Sequence, residues 1–90
     1  MTYQYRTKGT CSNMILIDLA DDHTLRDVKF VGGCQGNLSG ISRLVKGMKA
    51  EEIIEKLRGT TCGPRRTSCP DQLACALEEA LKQARLFSRR

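Results

Sequence analysis

The stretch Cys62-Gly63-Pro64-Arg65-Arg66-Thr67-Ser68-Cys69-Pro70-Asp71-Gln72 holds two cysteines with six residues between them and runs into an expected helix. Pro70 suits the first helical position, where its fixed φ is pre-organised and its missing N–H costs nothing, so Cys69 is expected at the N-cap. The partial positive charge of a helix start favours thiolate over thiol, the form that binds metal. Asp71 and Gln72 follow in the first turn, where acidic and amide side chains suit unpaired donors. Two further cysteines, Cys11 and Cys34, also fall at expected element edges beside Gly, Ser or Thr. Four converging thiolates at Cys11, Cys34, Cys62 and Cys69 suit tetrahedral zinc or an iron–sulfur cluster. The intervals of 22, 27 and 6 intervening residues are not those of a zinc knuckle, so the site must be assembled by the fold. A disulfide between Cys62 and Cys69 is the competing use of that pair, disfavoured in a reducing compartment.

The elements that would deliver these thiols are readable from periodicity. Tyr3 to Thr7 alternates as a strand, with both tyrosines on one face. Met14 to Ala20 reads as a central, mostly apolar strand. Asp21-Asp22-His23-Thr24 is a turn, and Leu25 to Val31 alternates as the antiparallel partner. Cys11 precedes one strand of that hairpin and Cys34 follows the other, so the two belong to neighbouring strand ends. Gly32, Gly33 and Gly36 around Cys34 relieve the backbone there; they lack the lysine and spacing of a phosphate loop.

From Asn37 the period changes. Leu38, Ile41, Leu44, Val45 and Met48 mark a helix face, with Asn37 or Ser39 as cap and Gly47 as stop. A second short helix from Ala50 to Arg58 buries Ile53, Ile54 and Leu57. The last runs from Pro70 to about Phe87, with Leu73, Ala76, Leu77, Ala80, Leu81 and Ala84 as its apolar stripe. Cys75 falls on the opposite, wet side by helical phase and reads as a spare surface thiol. His23 reads as an exposed turn residue. The expected architecture is a single α+β domain over residues 1–90: two or three antiparallel strands, then two short helices and one long helix packed on one face.

Composition narrows the function classes. The first residues lack a basic segment followed by an apolar run, and no apolar stretch is long enough to span a bilayer, so a reducing, cytoplasmic setting without membrane association is expected. There, thiols serve metal or redox chemistry rather than structural pairing. The net charge of +5 arises wholly after residue 33, partly at Arg65 and Arg66 and in the tail. Nucleic-acid binding would rest on that charge alone, since two Tyr and two Phe offer little stacking and no nucleic-acid motif accompanies them. A single histidine far from the thiols leaves no Ser/His/Asp or Cys/His dyad.

Thr67-Ser68-Cys69-Pro70-Asp71 also spells a signature. With Gly33-Cys34-Gln35-Gly36-Asn37, Leu44-Val45-Lys46-Gly47-Met48 and Cys62-Gly63, it makes most of the chain resemble the small four-cysteine proteins of the TSCPD family. Related domains end the adenosylcobalamin-dependent ribonucleotide reductases. The resemblance implies metal binding, or else a thiol-redox or accessory role beside ribonucleotide reduction. A more distant similarity is to U-type iron–sulfur scaffold proteins, carried by the order Cys11, Gly33-Cys34, Leu44-Val45-Lys46-Gly47, Ala50-Glu51-Glu52 and Cys69. Asn13 and Ser68 stand where the scaffold carries aspartate and often histidine, and its chaperone-binding segment is absent. Together these resemblances imply ribonucleotide reductase or the iron–sulfur machinery as partner. Gly33, Gly36, Asn13, Ser68 and Asp71, which flank the thiols, are expected to support the site.

Overall fold

A computed structural model describes residues 1–9, 12–33, 35–61, 63–64 and 66–88. Three strands, β1 (Thr2–Arg6), β2 (Ser12–Leu19) and β3 (Leu25–Gly32), form an antiparallel sheet in the order β1-β2-β3. Three helices follow: α1 (Gln35–Val45), α2 (Ala50–Leu57) and α3 (Cys69–Ser88). This is the α+β arrangement expected from the strand-like alternation and apolar run early in the chain and the 3.6-residue period later.

One face of the sheet meets the helices. Ile15, Ile17 and Leu19 of β2 alternate inward beside Leu25, Val28 and Phe30 of β3. They pack into one core with Leu38 and Val45 of α1, Ala50 and Ile53 of α2, and Leu73, Ala76, Leu77, Ala80 and Leu81 of α3. Two register shifts shape this sheet. Asp18 pairs with Asp27 but Leu19 pairs with Leu25, so Arg26 is extra, and both Leu25 and Val28 face inward despite their spacing. At the other end Ser12 pairs with Gly32 and Met14 with Val31, which leaves Asn13 as the extra residue. Gly32 has φ +80°, the left-handed region that favours glycine, and a Cβ there would sit 2.9 Å from Asn13 Nδ2, so the bulged asparagine side chain would have to shift.

The hairpin tip is tied to the α1–α2 connection. Leu25 accepts from Gly47 N–H at 2.9 Å and donates its own N–H to Met48 O at 2.8 Å. Ala50 N–H donates to His23 O at 2.8 Å, and His23 Nδ1 meets Glu51 Oε2 at 2.6 Å. His23 takes the left-handed φ of +73° that this turn requires.

Two details differ from the sequence reading. Helix α1 begins at Gln35, so Asn37 and Ser39 lie inside it rather than capping it. Leu44, counted toward the apolar face, is 78% exposed, because α1 rests on β3 through Leu38 and Val45 and leaves that flank in water.

Candidate thiol site at the start of the long helix

Helix α3 starts one residue earlier than the proline rule implies. Gln72 N–H donates to Ser68 O at 2.8 Å, the first intrahelical bond, and Ser68 Oγ accepts from Asp71 N–H at 3.2 Å. Ser68 is therefore the N-cap and Cys69 the first helical residue, which corrects the expected N-cap cysteine. Proline is tolerated one position further in because first-turn N–H groups have no intrahelical acceptor. Cys69 is 8% exposed and belongs to the core cluster, at the positive end of the helix.

The residues around Cys69 form a hydrogen-bonded knot. The Ser68 hydroxyl also donates to Thr60 O at 2.6 Å. The Asp71 carboxylate accepts from the Thr67 hydroxyl and from Gly59 N–H, the latter at 2.7 Å, with Arg58 Nη1 at 3.7 Å. Burial works against the Asp71 charge, but these donors outweigh it and hold the carboxyl below the ordinary aspartate range. Gln72 links two segments: its Nε2 donates to Thr67 Oγ1 at 3.0 Å, and its Oε1 accepts from Lys8 N–H at 3.0 Å. Ser68, Asp71 and Gln72 are each 6% exposed, so their hydrogen bonds replace water rather than compete with it. Gly9 packs on this knot as well; at φ +70° a Cβ there would lie 3.1 Å from Thr67 Cγ2.

The flanks of the other thiols are thus placed, although Cys11, Cys34 and Cys62 themselves lie outside the described residues, as does Arg65. Lys8 and Gly9 lead toward Cys11, Thr60 toward Cys62, and both segments are fastened to the start of α3. Asn13, two residues after Cys11, lies against Gly32, two residues before Cys34. Of the supporting residues expected, Ser68 and Asp71 belong to the knot and Asn13 to the bulge. Gly33 has φ +81°, and Gly36 is exposed with open space around it. The sequence reading passed over Lys8, Thr67 and Gln72 as site residues; the signal for the last two was their place on either side of the Ser-Cys-Pro-Asp run. Among the described residues, no three His, Cys, Asp or Glu side chains stand close enough to share a metal ion.

Cys75 is not on a wet face. It is half-buried, with Arg58 Nη1 2.8 Å from its Sγ, while Arg58 Nε meets Glu78 Oε1 at 2.9 Å. Burial pushes the Cys75 thiol above the ordinary cysteine value, and the Arg58 charge pulls the other way. No helix of the described residues is long and apolar enough to cross a membrane.

The fold and this helix start define a small α+β domain built to fix one cysteine at a helix N-terminus beside two connecting loops. A family model described as the TSCPD domain matches residues 1–81, and the chain belongs to that family. Neither a search of curated proteins nor one of solved structures finds a match.

Proposed function

We propose that this protein binds a metal centre through Cys11, Cys34, Cys62 and Cys69, as zinc or as an iron–sulfur cluster. The observation that carries this reading is the knot at the start of α3. The side chains of Thr67, Ser68, Asp71 and Gln72 are spent on holding the backbone of Lys8, Gly59 and Thr60, on the approaches to Cys11 and Cys62, against the turn that bears Cys69. The bulged Asn13 against Gly32 supports the same convergence for the flanks of Cys11 and Cys34. The donor set suits the ligand. Thiolates take tetrahedral zinc or iron, a helix start favours the deprotonated sulfur, and a buried position keeps water from competing. With four protein thiolates around it, zinc would have no open position and would serve structure rather than catalysis. A cluster held by the same four would add electron transfer or handover.

The alternative reading is a thiol-redox or accessory module of ribonucleotide reduction. Exchange with a partner's disulfide requires an attacking sulfur that the partner can reach. Cys69 at 8% exposure favours the ligand role over that one. In the cytoplasmic setting expected from the sequence, the iron–sulfur machinery or a reductase would be the partner to which such a centre belongs.

Elemental analysis with a visible spectrum, on protein purified without oxygen, tests the proposal. About one zinc per chain in a colourless protein, or iron and sulfide with charge-transfer bands, is the expected result. Metal-free protein in which all five thiols react freely with a thiol reagent would overturn it.

A further inference from the structure

We infer that Thr67, Asp71 and Gln72 are positioning residues that hold the thiol-bearing segments in register before any metal arrives; this rests on the four-thiolate reading for its purpose, but not for its test. The argument is one of connectivity. Gln72 spans from Thr67 Oγ1 to the N–H of Lys8, a residue 64 positions away in the chain. Lys8 stands three residues before Cys11 in the sequence, Thr60 two before Cys62, and Thr67 two before Cys69. Thr67 is the hub. Its hydroxyl donates to Asp71 and accepts from Gln72, so one oxygen joins the carboxylate that fixes Gly59 to the amide that fixes Lys8. Each polar side-chain atom of Thr67, Asp71 and Gln72 has a partner within the protein, so these groups serve as supports for the segments they join. Outer hydrogen bonds of this kind orient ligands and remove the ordering cost that binding would otherwise carry.

Thr67→Val is the sharpest probe, because valine keeps a methyl toward Gly9 and loses only the hydroxyl. Thr67→Ser restores the hydroxyl. Gln72→Glu is a second, independent lesion that keeps an acceptor for Lys8 N–H and loses the donor to Thr67. Each full-length variant, confirmed folded by circular dichroism, is stripped of metal and reduced, then read in two ways. The first is zinc affinity, by competition with a chromophoric chelator. Thr67→Val and Gln72→Glu should weaken it about 10- to 100-fold and Thr67→Ser should recover it. The second needs no metal: diamide takes two electrons and two protons from a thiol pair, and the rate of intramolecular disulfide formation at Cys69 reports how well the segments are held. That rate should fall at least severalfold in Thr67→Val and Gln72→Glu and return in Thr67→Ser. If wild-type protein binds no zinc but the disulfide rates follow this order, the zinc form of the metal reading fails and the positioning role stands. If both variants match wild type in disulfide rate, and within twofold in any zinc affinity, the positioning role is wrong.

Discussion

Ser68→Ala removes the N-cap of the helix that the rest of the site leans on. Two hydrogen bonds go with it. The cap bond from Asp71 N–H is 3.2 Å long, and losing a serine cap costs about 1 kcal/mol. The bond from the hydroxyl to Thr60 O is 2.6 Å long and nets about 0.5–1 kcal/mol, toward the low side because Thr60 is exposed and its carbonyl can turn to water. The sum is about 1.5 kcal/mol. For a domain of this size that corresponds to a fall in Tm of about 6–12 °C. Circular dichroism melts in chelator and reductant isolate the effect from any bound ion. Ser39→Ala is the control: the sequence nominates Ser39 as a cap too, but it lies exposed inside α1, and its replacement should stay within about 0.5 kcal/mol of wild type. A Ser68→Ala loss below about 0.5 kcal/mol, or equal to that of Ser39→Ala, would refute the assignment of Ser68 as cap and, with it, the position of Cys69 in the first turn.

Three other outcomes follow from the geometry. Leu77→Ala, at a fully buried position where α3 meets the core, should cost about 2–5 kcal/mol in urea unfolding with little change in m; a cost under about 1 kcal/mol would mean α3 is not packed as described. Gly47→Ala should cost about 1–2 kcal/mol purely from its φ of +88°, since a Cβ there meets only open space; a neutral result would mean the α1–α2 turn can adopt another conformation. The Asp22 carboxyl, bonded by Thr24 and then by Lys49, is lowered to about 2, and Glu51 is lowered by its bond to His23. Because the folded Asp22 value lies below the unfolded one, its stabilisation is full above pH about 4 and drains away as pH falls through about 2. A carboxyl NMR titration of Asp22 with its midpoint at or above 3.8 would contradict the bonding at the hairpin tip.

The hairpin and the α3 stripe were legible because their periods of 2 and 3.6 are strong local signals over six or more residues. What escaped was set by tertiary surroundings. Cys75 lies opposite Leu73 by phase, yet α3 is wedged between the sheet and α2, so its buried arc extends past the stripe to Ala74 and half covers Cys75 beneath Arg58. Leu44 shows the converse, an apolar residue left in water because α1 meets the core through Leu38 and Val45 and leaves the Leu44 flank outside it. The displaced N-cap has a sign in the sequence: Ser68 and Asp71 have the spacing of a capping box, which competes with the preference of proline for the first helical position. The link from Gln72 to Lys8 joins opposite ends of the chain, and no local pattern announces such a bond. Its sign in the sequence was only that Thr67 and Gln72 adjoin the signature.

The account turns on whether four sulfurs share one inorganic centre. Native mass spectrometry of anaerobically purified protein, alongside single Cys11→Ser, Cys34→Ser, Cys62→Ser and Cys69→Ser variants, measures this most directly. Wild type should carry one zinc ion or one iron–sulfur cluster per chain, each of the four variants should lose it, and Cys75→Ser should retain it. Apo mass for the wild-type chain, or metal retained undiminished in all four variants, would contradict the claim.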